Sequence, residues 1–223
     1  ISKNPIVHSE VIIPEGSSQR IGYLVYTGFD SEFNTALVDT MSEFEAAGIT
    51  HLIIDLRCNG GGSVSSAITL VSATLGRSYH DAVLCELRRN PRNTAVHNTS
   101  YCTLTEVGAS LGLSDVTIIC SENSASASEL VIEGLRGLDI PVHLIGSTTE
   151  GKNCGMDVTR RTIGTTYFEY APITFMCFNA KGVGDWGEGI AVDVDVKAEE
   201  EHYPMPYVPW GSKYVKYDAA LRL

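Results

Sequence analysis

Three short apolar runs, separated by segments with the character of helices, restrict the fold of this 223-residue chain most strongly. The runs are His51–Leu56, Val116–Cys120 and Pro141–Ile145, and the first of them suits a strand that is covered on both faces. Helices are predicted around them, over residues 31–47, 63–75 and 126–138. Because strands alternate with helices, the sequence predicts an α/β fold with a mostly parallel sheet and flanking helices.

The rest of the chain is predicted to contain shorter β elements and two polar ends. Strands are expected at Ile21–Tyr26 and Ala82–Leu87, and the short β runs beyond Asp157 predict C-terminal β-hairpins. No repeat or Pro/Ser-rich linker divides the chain. The expected organisation is an irregular N-terminal linker segment at 1–20, a core at 21–198 and a C-terminal arm at 199–223 that is first acidic and then rich in Pro and Tyr.

Composition excludes several classes of function. The net charge of −11, with Lys and Arg scattered along the chain, argues against a nucleic-acid partner because phosphates would be repelled. No apolar run approaches the roughly 18 residues that a membrane-spanning helix needs. The six cysteines lack any CxxC pair or Cys/His cluster, so neither a metal site nor a dense disulfide scaffold is expected. Several of them lie in apolar runs, where Cys usually behaves as a small buried hydrophobe.

Polar or glycine-rich loops follow the three apolar strands, at the end of a parallel sheet where ligands gather. The first loop, Asp55–Gly62, contains three consecutive glycines whose bare N–H groups could bind an anion or an oxyanion. The second, Ser121–Leu130, places small residues and several hydroxyls before a helix. The third, Thr148–Asn153, contains Lys152. A lysine that is desolvated between packed loops can lose its proton near pH 7 and act as a base.

Each loop also has an ordinary structural interpretation when it is taken alone. The glycines could form a flexible turn, and one serine could be a helix N-cap, with Glu129 completing a capping box from Ser126. A single lysine in a loop is usually solvated. The three loops together favour chemistry, because they can converge at one edge of one sheet as a serine nucleophile, a base and an anion-binding turn.

The order of these motifs resembles that of the S41 family of serine peptidases, the C-terminal processing or tail-specific peptidases. The family pattern is D-L-R-x-N-x-G-G, S-A-S-A-S-E, T-x-G-K and G-x-G-I-x-P-D-V. It corresponds here to Asp55–Gly62, Ser124–Glu129, Thr149–Lys152 and, loosely, Gly187–Val194. The resemblance covers about residues 18–196, and details resemble variants from Bacteroidetes-type envelope proteins.

The resemblance implies a fold, a mechanism and a set of site residues. The fold would be the core shared with Clp-type proteases and crotonases. Ser126 would be the nucleophile and Lys152 its general base, with the oxyanion held by the N–H groups of Ala127 and Gly61. The substrate would be a polypeptide, cut at C-terminal or unfolded segments through an acyl-enzyme, without a cofactor or metal. The expected location is the periplasm or cell envelope.

This chain departs from the family pattern at several points. Met156 occupies the position, four residues after the lysine, where a glutamine often orients that lysine. The interval from Ser126 to Lys152 is one residue longer than the family pattern, which indicates an insertion in the turn at 137–141. Val192 replaces the proline of the last motif. No PDZ-like segment is visible; one could lie upstream.

These departures keep two other functions open. The first is a catalytically inactive module that binds peptides or lipophiles on the same scaffold. The second is a crotonase-like acyl-thioester enzyme, which would bind coenzyme A but gives the serine and lysine no role.

Overall fold

Fifteen strands and α-helices make up the computed structural model, which describes residues 3–92 and 99–196. Short 3-10 turns at Ser31–Phe33 and Arg77–Tyr79 flank two of the helices. In chain order the elements are β1 (Ile6–Ile12), β2 (Ile21–Tyr26), α1 (Asn34–Ala47), β3 (His51–Asp55), α2 (Val64–Leu75), β4 (Val83–Arg89), β5 (Thr99–Thr103), β6 (Val116–Cys120), α3 (Ala127–Gly137), β7 (Val142–Gly146), β8 (Cys154–Met156), β9 (Thr159–Ile163), β10 (Thr166–Tyr170), β11 (Ile173–Asn179) and β12 (Val194–Asp195).

A six-stranded central sheet has the order β1-β2-β3-β6-β7-β12. The five strands from β2 to β12 are mutually parallel, and β1 pairs antiparallel with β2 at one edge. The α/β class with a mostly parallel sheet is therefore confirmed. Strands β3, β6 and β7 are direct neighbours, so the three loops that leave their carboxyl ends meet at one edge of the sheet.

A second sheet of four antiparallel strands, in the order β5-β4-β11-β8, packs against α3 through β4 and β11. Strands β9 and β10 form a separate hairpin whose residues are all exposed. Strands β10 and β11 contain the β runs that were expected beyond Asp157. After β7, the chain leaves the central sheet and enters the second one at β8.

The alternation of side chains along the central strands creates two apolar layers. Leu52 and Ile54 of β3 belong to the main core, which also contains the buried faces of α1, α2 and α3. Ile53 points to the opposite face and joins a smaller cluster with Tyr23 and Ile119. Because both faces of β3 are buried, its continuous apolar sequence is explained.

Helix α1 ends where the sequence predicts. Gly48 caps it in the left-handed conformation (φ 65°), and its N–H donates to the carbonyl oxygens of Glu45 and Phe44. Two of the α1 residues that the helical spacing places on the core side, Met41 and Phe44, are fully buried. None of the helices in the described ranges has the length and apolar character needed to cross a bilayer.

The expectation of an irregular segment over residues 1–20 is wrong for its central part. Residues 6–12 form β1, which pairs with β2 along its full length. The sequence did not reveal this strand because it lies at the edge of the sheet. An edge strand tolerates polar residues such as His8, Ser9 and Glu10, which interrupt the apolar pattern of a strand. The proposed C-terminal arm at 199–223 lies outside the described residues.

Candidate active site

Three loops at the carboxyl ends of β3, β6 and β7 form the candidate site. We call them the glycine loop (residues 56–63), the serine turn (residues 121–126) and the lysine loop (residues 147–153). The serine turn lies between the other two, because β6 lies between β3 and β7. The convergence that the sequence predicted is therefore present in the structure.

Ser126 is held in an unusual backbone conformation at the start of α3. Its φ of 57° and ψ of −110° are unfavourable for a residue with a side chain, and such strain is typical of functional positions. Two hydrogen bonds to the glycine loop fix the turn around it: the Ala125 N–H and the Ser128 hydroxyl both donate to the Asn59 carbonyl oxygen, at 3.2 and 2.8 Å. The surrounding structure thus fixes the position of the Ser126 backbone, from which its side chain extends.

Glu129 connects the serine turn to the lysine loop. Its side chain is fully buried, and Oε2 accepts the N–H groups of Ser126 and Lys152, both at 2.8 Å. Oε1 accepts the Thr149 hydroxyl at 2.7 Å and the Gly151 N–H at 2.6 Å. The sequence suggested only a local capping role for Glu129. The bonds across 20 to 23 residues to the lysine loop are a finding of the structure.

Ser126 and Lys152 line one cavity of about 550 Å³. Ala127, Gly60 and Gly62 also line it, so both loops that could stabilise an oxyanion reach this space. Six apolar side chains also line the cavity, together with the charged Arg160: Val64, Leu130, Met156, Val158, Phe175 and Trp186. A cavity that combines apolar side chains with a few polar groups is typical of a substrate site.

Gly61 packs against the serine turn at a distance that excludes a side chain. A Cβ atom on Gly61 would lie 2.7 Å from the Ala125 carbonyl oxygen, 2.7 Å from Ser126 Cβ and 2.9 Å from the Ala127 nitrogen. Its φ of +99° also favours glycine. The Gly61 N–H donates to Asn59 Oδ1 at 2.9 Å. The sequence did not reveal this bond, because an Asn two residues before a glycine has no unique partner.

A buried ion pair supports the base of the glycine loop. The Asp55 carboxylate accepts hydrogen bonds from the Arg57 guanidinium and, at 2.8 Å, from the Tyr23 hydroxyl. Burial works to lower the pKa of Arg57, but the hydrogen bonds and charge of Asp55 outweigh it and raise that pKa. The Arg57 carbonyl oxygen accepts the Ser121 hydroxyl at 2.6 Å. The D-L-R motif therefore connects the glycine loop to the serine turn and lies behind the cavity.

Three residues outside the three loops have defined positions. Met156 lines the cavity, and its thioether cannot replace the two donors of the glutamine that the family often has there. His51 is hydrogen-bonded to Asp115 at 2.9 Å and to Thr117 at 2.8 Å, as a packed strand histidine should be. Trp186, from the loop between β11 and β12, is buried and lines the cavity. Within residues 3–92 and 99–196, no group of three His, Cys, Asp or Glu side chains could hold a metal ion.

We expect Gly61→Ala to damage the site. The added methyl group must displace the serine turn, and the positive φ adds strain, so the free energy of unfolding should fall by about 2–4 kcal/mol. The reactivity of the Ser126 hydroxyl towards a fluorophosphonate should fall at least about tenfold, because small displacements of reacting groups are costly. Urea denaturation measures the loss of stability, and the rate of labelling measures the loss of reactivity.

Gly60→Ala is the matched control, because a Cβ atom on Gly60 would have no neighbour within 4 Å. This variant should change stability by less than about 1 kcal/mol. If the two variants were equally stable and equally active, the close packing of Gly61 on the serine turn would be contradicted.

Comparison with known proteins agrees with this arrangement. The sequence model of peptidase family S41 matches residues 20–194. The carboxy-terminal processing protease CtpA of Bacillus subtilis is 23% identical over 214 residues, which cover 95% of this chain and 42% of that protein. CtpA-like serine proteases of Staphylococcus aureus are matched over 33% of their length, so the chain spans well under half of these relatives.

Solved structures show the same likeness. A Bacteroides fragilis chain described as an S41 protease superimposes with a TM-score of 0.85 at 25% identity, over 100% of this chain and 58% of that one. The photosystem II D1 C-terminal processing protease superimposes with a TM-score of 0.64 at 20% identity, over 87% of this chain and 49% of that one. At that identity the second match supports the fold alone.

Proposed function

Because this chain belongs to peptidase family S41, we propose that it is a serine endopeptidase in which Ser126 and Lys152 form a catalytic dyad. One observation carries the proposal. Ser126 directly precedes α3 in a strained conformation, and it lines the same cavity as Lys152, with one buried carboxylate bonded to the backbone N–H of both residues.

The proposed reaction begins with a proton transfer. The Lys152 amine takes the proton of the Ser126 hydroxyl as its oxygen attacks the carbonyl carbon of the scissile peptide. The protonated lysine then gives that proton to the leaving amine, which departs and leaves an acyl-enzyme. Lys152 next takes a proton from water as the water oxygen attacks the acyl carbon. The Ser126 oxygen then leaves with the proton that Lys152 returns, which restores both side chains and releases the acid.

The oxyanion would be stabilised from two sides. Ala127 is the first residue of α3, so its N–H lies at the positive end of the helix dipole, next to the nucleophile. The second donor would come from the glycine loop, where we assign Gly61. Its N–H is bonded to Asn59 Oδ1, so it must share or exchange that hydrogen bond when substrate binds. Gly62, which lines the cavity, is the alternative donor in the same loop.

The cavity is compatible with a polypeptide substrate. Its apolar side chains, among them Phe175 and Trp186, would contact the side chain next to the cut, and the reacting carbonyl would lie beside Ser126. We assign C-terminal or unfolded segments as substrates, following the processing proteases that the chain resembles. By the same likeness we assign the protein to the periplasm or cell envelope. The peptidase core would span residues 21–198, and any PDZ or other gate would lie elsewhere in the full protein.

An inactive peptide-binding module is the second candidate. Met156 favours it, because this residue cannot orient Lys152 as a glutamine would. A serine-directed fluorophosphonate separates the two functions. A working dyad should attack the phosphorus and form a covalent adduct on Ser126, whereas a binding module should not react.

The expected result is one adduct per chain, located on Ser126 by peptide mass spectrometry and absent from Ser126→Ala. Ser124→Ala is unsuitable as a control because its hydroxyl bonds to the Leu56 carbonyl oxygen inside the fold. Ser65→Ala, on the exposed first turn of α2, should label like the parent chain. Absence of any adduct on folded protein, or an adduct on another serine, would overturn the dyad.

A further inference from the structure

Four of the six cysteines lie one on each strand of the second sheet. Cys102 is on β5, Cys85 on β4, Cys177 on β11 and Cys154 on β8, which is the order of the strands in space. Cys154 and Cys177 also line the cavity. This arrangement brings thiols close together in space although they are far apart in sequence.

Cys85 and Cys102 face each other directly across the β4–β5 pair. They are register partners in this antiparallel pair, next to a bulge at the start of β4. Directly opposite residues have Cα atoms about 4.5–5.5 Å apart, which is within the range that a disulfide spans. The register therefore places the two cysteines within the reach of a disulfide.

The other cysteines of the sheet lack such a partner. Cys177 is opposite Leu87, and Cys154 is opposite Met176. Strands β5 and β11 lie on opposite sides of β4, so Cys102 and Cys177 are separated by two strand spacings, or about 9.5 Å. This distance exceeds the roughly 7 Å limit for a disulfide. Register thus singles out Cys85 and Cys102.

The two thiols of the pair have different environments. Cys102 is partly exposed, whereas Cys85 is buried. The hydrogen bond between them, aided by the charge of Arg89, lowers the pKa of Cys102, and the same bond together with burial raises the pKa of Cys85. By contrast, burial raises the pKa of Cys177 to about 12. A partly exposed cysteine of lowered pKa beside a buried one is the arrangement of an attacking and a resolving cysteine.

We propose that Cys85 and Cys102 are a thiol-oxidation site, which forms an intramolecular disulfide on reaction with a low-molecular-weight disulfide. The Cys102 thiolate attacks one sulfur of the oxidant and displaces its first thiolate, which gives a mixed disulfide. Cys85 then attacks the Cys102 sulfur and displaces the second thiolate. The protons of the two cysteines pass to the two displaced thiolates, so the oxidant gains two electrons and the protein loses two.

The disulfide would join β4 to β5 and close the stretch of chain between Cys85 and Cys102 into a loop. A closed loop of this length reduces the freedom of the unfolded chain. Because β4 pairs with β11, which carries the cavity residues Phe175 and Cys177, the constraint acts on the sheet that forms one wall of the cavity. We therefore expect the thermal midpoint of unfolding to rise by roughly 6–12 °C on oxidation.

The test uses glutathione disulfide in excess over glutathione, followed by alkylation of the remaining thiols. Cleavage after Glu86, Arg92 and Glu106 puts Cys85 and Cys102 on separate peptides, so their linkage is visible as one joined species. We expect that joined species and the higher thermal midpoint. A fully alkylated protein, or linkage through Cys154 or Cys177 in place of this pair, would overturn the proposal.

Single variants test the order of the steps. Cys102→Ser should abolish both the joined peptide and the rise in thermal midpoint, and persistence of the rise would count against the site. Cys85→Ser, or Cys85→Ala if the buried serine prevents folding, should retain glutathione on Cys102 because nothing resolves the mixed disulfide. Cys58→Ser changes an exposed thiol of the glycine loop and should behave as the parent chain in both measurements.

Discussion

Lys152→Met should remove peptidase activity almost completely while the protein stays folded. The substitution keeps most of the length of the side chain but takes away the group that would accept the Ser126 proton. Loss of one member of a nucleophile–base pair typically lowers kcat by about 10³–10⁶-fold. The backbone N–H of Lys152 that bonds to Glu129 is unchanged, so the lysine loop should keep its position. Initial rates of casein cleavage and urea denaturation together measure the two expectations.

Two companion variants define what the result means. Ser126→Ala should lose as much activity as Lys152→Met, and the double variant should lose little more, because the two groups act as one unit. Lys181→Met is the matched control, since Lys181 forms an exposed pair with Asp139 beyond the far end of α3. It should cleave casein at the parent rate. Activity of Lys152→Met near the parent rate would rule out lysine as the base.

Glu129→Gln should lower both stability and activity although the side chain keeps its shape. The carboxylate accepts four hydrogen bonds inside the protein, two on each oxygen. An amide would point its NH2 group at two donors, and the unfolding free energy should fall by about 2–4 kcal/mol. The serine turn and lysine loop would separate, and activity should fall by about 10²-fold at temperatures where the variant is folded.

Glu133→Gln, one turn further along α3, distinguishes this positioning role from general damage to the helix. Glu133 is also buried, but it bonds to Arg136 and Asn179 and touches neither loop. It should lose stability yet cleave casein at the parent rate once folded, and it should label normally with fluorophosphonate. If Glu129→Gln also labelled at the parent rate, Glu129 would have only a structural role.

The regular part of the fold was predictable because burial on both faces leaves a clear pattern. Strands β2 and β6 match their predicted limits, and Gly48 ends α1 as expected. The strands that were missed lack such a pattern. β1 is a mixed edge strand, β8 has three residues, and β9 is exposed along its length, so nothing distinguishes its residues from a loop.

The features of the candidate site also divide into those that the sequence predicted and those that it did not. The three loops were predicted because each follows an apolar strand, and the resemblance to the S41 pattern then implied Ser126 and Lys152 within them. The partners of Glu129 and Asn59 were missed, because they depend on contacts between loops that are distant in the chain. A local pattern can place a group at the end of a strand, but packing decides which neighbour it bonds.

The direction of α3 has a consequence for how such a chain can vary. The helix begins at the serine turn and runs for 11 residues, or about 16 Å, to the opposite end of the sheet before β7 returns. The turn at 138–141 therefore lies far from Ser126 and Lys152. An extra residue in this turn, which the interval from Ser126 to Lys152 indicates, would lengthen the chain without moving the end of β7 that leads to Lys152. Insertions of this kind can accumulate during evolution at one end of the molecule, while the chemistry at the other end is preserved.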